Sequence, residues 1–205
     1  MKKLVITAVM MFGFTSATFA MDAPKVEYSA DSSMETEQAT MKSHISYAPG
    51  KERREMDMGR NKQTMILRQD KKVMWMLMPE QNMYMESPLG SGEDSSKSAD
   101  LSNAKVESTE AGSEKVNGID TKKYKVIVTT DRGKMGGFFW KTSDGILVKS
   151  DLIAVDKGSK IRMKTELTNL KVGHQDPALF EIPAGYKTMD MGAMMGGAMM
   201  GRHRR

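Results

Sequence analysis

Cysteine is absent from all 205 residues, and that absence alone removes several classes of function. It excludes disulfides, thiolate metal sites and the kind of N-terminal lipid attachment that needs a Cys at a new terminus. Long apolar runs are equally scarce. Leu4–Phe14 falls short of the roughly 20 residues that a bilayer-spanning helix needs, and no later stretch is long enough, so no transmembrane span is expected. Histidine is limited to three residues. His44 falls on the polar phase of a strand, His174 sits in a loop beside Gln175 and Asp176, and His203 lies near the end. No serine stands in a Gly-x-Ser-x-Gly elbow, and the acidic residues are scattered over polar faces. With no nucleophile, base and oxyanion group brought together by any motif, the chain reads as a non-enzyme that needs no cofactor.

What is present begins with a leader. Lys2 and Lys3 precede the apolar run Leu4–Phe14, and Thr18-Phe19-Ala20 supplies small residues for cleavage, so residues 1–20 read as a secretory signal peptide. A bacterial leader on a chain without cysteine points to the periplasm, because eukaryotic secreted proteins more often carry disulfides. The formal net charge is +5 with a pI near 9.2, which invites a nucleic-acid reading. Lys2, Lys3, Arg202, Arg204 and Arg205 account for the whole excess, however. The body between them is neutral, and no nucleic-acid partner is expected.

From Lys25 onward apolar residues recur with a period of two, the signal of strands with one wet face. Val26, Tyr28 and Ala30 alternate with charged and polar neighbours, as do Met41, Ile45 and Tyr47, then Met56 and Met58, then Met65 and Leu67. Pro49-Gly50, Asn117-Gly118, Asp131-Arg132-Gly133, Asp144-Gly145 and Lys157-Gly158 punctuate the pattern with turn residues. Consecutive hairpins make an antiparallel meander, and no long amphipathic helix is evident. Two stretches differ. Residues 89–103, LGSGEDSSKSADLSN, form a Gly/Ser/Asp-rich loop that would suit a flap over a cavity or an idle surface loop. Residues 188–205 are a Met/Gly-rich basic tail without a core of their own.

The run ILRQDKKVMWMLMPEQNMYMES resembles the central strands of the LolA/LolB-like superfamily of periplasmic lipoprotein carriers. The ending TNLKVGHQDPALFEIPAGYK resembles the C-terminal signature of an uncharacterised bacterial domain family in that superfamily, through Asp176, Pro177, Phe180, Pro183, Gly185 and Tyr186. FFWKTSDGILVK fits its second half. The resemblance implies a mainly β domain over residues 21–187, an open, unclosed antiparallel β-barrel or curved meander sheet with at most short helices as a lid. It also implies a concave face that takes acyl chains.

Methionine is the residue in excess, with 22 in the chain. In KVMWMLM, Val73, Trp75 and Leu77 point one way and Met74, Met76 and Met78 the other, so the strand is apolar on both faces. Thioether side chains are unbranched and adapt to ligands of variable shape; they also fill cores in place of Leu, and the residues alone leave both readings open. The resemblance favours a ligand lining of Met56, Met58, Met65, Leu67, Met74, Met76 and Met78, with Trp75 and Phe139 close to it. The partner would then be a lipid or an acylated lipoprotein. A rival reading takes Met189, Met191, Met194, Met195, Met199, Met200 and His203 as a Cu(I) site, since soft ligands select that ion. A third takes the sheet as an envelope scaffold with a transient protein partner, and a further reading makes the tail methionines expendable, reversible oxidant scavengers.

Overall fold

Two-residue periodicity builds the strands, and among the described residues the helical elements between them are 3₁₀ turns. The structure is a computed structural model and describes residues 23–57, 62–89, 105–130, 133–156 and 159–189. The expected leader, Met58, almost all of the Gly/Ser-rich loop and the tail beyond Met189 lie outside those residues. Strands β1 (Tyr28–Thr36), β2 (Thr40–Ala48), β3 (Lys51–Asp57), β4 (Lys62–Arg68), β5 (Val73–Met78) and β6 (Met83–Pro88) form one antiparallel meander. Strands β7 (Lys105–Val116), β8 (Ile119–Thr130), β9 (Gly133–Lys141), β10 (Leu147–Asp156) and β11 (Ser159–Val172) form a second. The two meanders join where β1 pairs with β11. A two-residue strand, β12 (Lys187–Thr188), adds to β6 in parallel. The order is β12-β6-β5-β4-β3-β2-β1-β11-β10-β9-β8-β7, one open curved sheet not closed into a barrel. Among the described residues no helix is long and apolar enough to cross a membrane.

Turn chemistry sets the register. Val116 faces Ile119 across Asn117-Gly118, and both turn residues have positive φ (52° and 79°). That is the geometry in which a two-residue turn matches the twist of its strands, and Asn and Gly reach it at least cost. The first strand starts at Tyr28 rather than Lys25. Val26 nonetheless packs against the first core cluster, so its apolar signal was real and its strand assignment was not.

Following the pairs across the sheet identifies its two faces. One row runs Ala30–Ile45–Arg54–Met65–Met76–Met85, and the next Tyr28–Tyr47–Glu52–Leu67–Met74–Ser87. Tyr28, Ala30, Ile45 and Tyr47 pack with Val116, Trp140, Ile146, Val148 and Leu167 of the second meander. We call this face inner, because it is where the two halves meet. A neighbouring cluster of Val106, Val126, Val128, Met135, Phe139 and Leu152 fills the second half.

The opposite, outer face of β2–β6 carries Ala48, Ile66, Trp75 and Leu77, and Phe180 seals it. Phe180 belongs to a 3₁₀ turn, Pro177–Phe180, capped by the Asp176 side chain accepting from the Ala178 N–H at 2.9 Å. Burying a side chain of that size contributes about 1.5–3 kcal/mol. Arg68, 3% exposed, anchors the segment. Its guanidinium donates to the Phe180 carbonyl at 2.9 Å, to both Asp70 oxygens at 2.7 and 2.8 Å, and to Glu181. It also lies 5.7 Å from the Trp75 ring centre. Arg53 adds a bond to the Leu179 carbonyl at 3.1 Å.

This packing generates two predictions. A Cβ on Gly137 would run into the Asp151 carbonyl of the neighbouring strand, whereas one on Gly136 would meet nothing nearer than the Val126 carbonyl oxygen at 3.9 Å. Gly137→Ala should cost about 1–3 kcal/mol in denaturant unfolding, and Gly136→Ala should stay within about 0.5 kcal/mol of the parent. The second concerns acid. Hydrogen bonding from Arg68 holds the Asp70 carboxyl at about 2, against its ordinary 3.8. A carboxylate depressed in the folded state stabilises fully above its unfolded pKa and stops doing so as pH falls through the folded one. Melting temperature should therefore drop between about pH 4 and pH 2. Asp70→Asn should melt lower at neutral pH and show a shallower drop over that interval.

Candidate functional site

The two faces of β4 and β5 are chemically sorted. Ile66, Trp75 and Leu77 are buried on the outer face. On the inner face the same two strands place Met65, Leu67, Met74, Met76 and Met78, all half-buried. Met65 lies opposite Met76, Met76 opposite Met85, Leu67 opposite Met74, and Met78 opposite Met83. Met56, opposite Gln63, continues the face onto β3. In these two strands the outer side buries Ile66, Trp75 and Leu77, and the inner side carries Leu67 and four half-buried thioethers.

The ion pair of Arg54 with Glu52, 2.9 Å apart, divides this inner face. On one side lies the Tyr28–Tyr47 stack, with ring centres 5.1 Å apart; on the other lies the methionine surface. Burial, then the Glu52 charge, raises the Tyr28 hydroxyl pKa well above its ordinary value. Both tyrosines stay neutral, and the polar content of this zone is the paired Arg54–Glu52 couple.

A hollow of about 770 Å³ opens elsewhere, on the outer side of β1–β4, beside Pro79 and Tyr186. Its lining includes Asp31, Lys42, His44, Arg53, Glu55 and Lys62. The Asp31 carboxylate accepts from Asn169 at 2.7 Å and bonds the His44 ring at 2.8 Å; those two bonds, Asn169 first, pull its pKa below the usual range. Arg53 forks onto Glu55 at 2.7 and 3.0 Å. The charges are largely spent on each other, which suits a hydrated cleft better than an acyl chain. Among the described residues no three His, Asp or Glu side chains gather where they could hold a metal ion.

The residues expected to line a ligand site are thus distributed as follows. Met56, Met65, Leu67, Met74, Met76 and Met78 share the inner face. Trp75 is on the opposite face, 5% exposed, with its indole N–H donating to Glu86 at 2.8 Å. Phe139, 3% exposed, is part of the second-half core. Among the described lining residues, Met56 also borders the polar hollow. Of the tail residues, Met189 is described, and its N–H donates to the Tyr84 carbonyl at 2.7 Å. Met83 and Met85 complete the inner surface and were missed, although NMYME carries the same alternation. The Asp31–His44–Asn169 cluster had no signal in the sequence, because it depends on cross-strand register.

The open, mostly antiparallel curved sheet expected from the sequence is the fold found. An uncharacterized conserved protein from Thermus thermophilus shares it with a TM-score of 0.55 at 11% identity, over 80% of this chain and 90% of that one. Weaker likenesses reach the Pseudomonas aeruginosa MucA/MucB complex (TM-score 0.47, 15% identity, 78% of this chain and 57% of that one). They also reach an outer membrane lipoprotein-sorting protein domain from Vibrio parahaemolyticus (TM-score 0.34, 12% identity, 78% and 91%). No curated protein matches. A family model matches residues 31–147, from the middle of β1 to the start of β10 and so more than half the chain, and the chain belongs to that family, described as Domain of unknown function (DUF4412).

Proposed function

We propose that this protein is exported to the bacterial periplasm and there binds a hydrophobic ligand, a lipid or the acyl chain of a lipoprotein, without catalysis. The ligand lies on the inner face of β3–β6 against Met56, Met65, Leu67, Met74, Met76 and Met78, with Met83 and Met85 at the edge. The observation that carries this reading is the sorting of side chains within β4 and β5. A strand pair that needed only stability would have no reason to bury Ile66, Trp75 and Leu77 on one face and gather four thioethers beside Leu67 on the other. Contiguous apolar surface left open to water is costly and marks a site of contact. Thioether chains adjust to an occupant without demanding one shape. Each buried methylene adds about 0.8 kcal/mol, so a chain of a dozen carbons binds usefully without any directional contact.

The test is titration of the full chain with a fluorescent long-chain fatty acid, beside organic extraction and mass spectrometry of protein isolated from periplasm. Saturable binding and a co-purifying lipid are expected. Met65→Gln and Met76→Gln should each weaken the probe about tenfold, the loss of about 1.5 kcal/mol of apolar contact. Trp75 and Phe139 should influence binding only through stability, since their side chains are packed away. Absence of extractable lipid together with no saturable uptake of the probe would contradict the reading.

A further inference from the structure

Met65, Met76 and Met85 stand directly opposite one another on three successive strands. Neighbouring antiparallel positions are about 4.5–5.5 Å apart, within the lateral reach of a side chain with three rotatable bonds. All three side chains are half-buried on the inner face. The Gln63 amide donates to the Met76 sulfur. That bond engages one sulfur lone pair, and a thioether keeps a second one free.

We infer that Met65, Met76 and Met85 form a three-sulfur site for a soft monovalent cation of the Cu(I) or Ag(I) class. Thioethers are neutral, polarizable donors that favour Cu(I), while Mg, Ca and Mn prefer oxygen. They release no proton on binding and so cannot neutralise a metal's charge. A divalent ion set among them would retain both charges in an apolar setting, which costs more than retaining one. The nearest cationic side chain in the row, Arg54 opposite Met65, is already paired with Glu52 at 2.9 Å, so it presents no uncompensated repulsion. Because no ligand titrates, affinity should be nearly flat from about pH 5 to 8, unlike that of a His or carboxylate site. This site is distinct from the tail methionines and needs sulfur, whereas a lipid needs only apolar surface.

That difference supplies the experiment. The full chain, labelled with ¹³C at methionine methyls, is titrated with Ag(I); Cu(I) affinity is then measured anaerobically by competition with a chromogenic chelator. The Met65, Met76 and Met85 methyls should shift together and saturate. The triple variant Met65→Leu, Met76→Leu, Met85→Leu keeps volume and apolarity, should keep the parent's circular dichroism spectrum, and should lose at least about tenfold in Cu(I) affinity. Shifts confined to Met191, Met194, Met195, Met199 and Met200, or unchanged Cu(I) affinity in the triple leucine variant, would overturn the inference.

Discussion

Strands β4 and β5 must satisfy two environments at once, and the rest of the molecule follows from how they do so. Alternation sends neighbouring side chains to opposite faces of a sheet. A strand that is apolar throughout is therefore buried on both sides or leaves one side with work to do. Here the outer side is closed by a short C-terminal segment through Phe180. The inner side is shared: β1 and β2 use theirs to bind the two meanders together through Tyr28, Ala30, Ile45 and Tyr47, and β3–β6 keep theirs accessible. The sheet is not closed, so nothing in its topology forces those methionines into a core.

Charge placement supports the same division. A buried guanidinium is costly unless its donors are met, and Arg68 meets them with Asp70, Glu181 and the Phe180 carbonyl. Two of these partners, the Phe180 carbonyl and Glu181, belong to the docking segment, so desolvating Arg68 and docking that segment are one event. Burial pushes the Glu181 carboxyl up, but hydrogen bonds from Lys71 and Arg68 outweigh it and the net shift is downward. On the inner face the polar boundary is the Glu52–Arg54 pair, which ends the tyrosine core and begins the thioether surface without leaving a bare charge between them.

Much of this was legible in the sequence, and the part that was not has a physical cause. Period-two alternation and the Asn117-Gly118 turn sufficed for an antiparallel meander. The alternation also separated Met74, Met76 and Met78 from Trp75 and Leu77. It could not say which set faces inward, because that depends on what covers each face. Phe180 seals one of them from more than 100 positions away in sequence, and the anchoring bonds of Arg68 span the same distance. Trp75 and Phe139 are aromatic and lie near the methionines in sequence or in fold, yet both are packed away from the inner surface. Their placement follows from the outer seal and the second-half core, neither of which has a local signature. The β1–β11 pairing that unites the halves is likewise a long-range contact that no window of sequence contains.

The claim on which all of this turns is that β5 has one sealed face and one accessible face. A chain without cysteine allows a direct measurement: Met76→Cys and Leu77→Cys, each the single thiol in its protein, are exposed under native conditions to a thiol-reactive reagent. The thiol at position 76 should react readily in the folded protein, and the one at position 77 only as fast as the protein unfolds. Equal protection of both, or reaction at position 77 ahead of position 76, would contradict it.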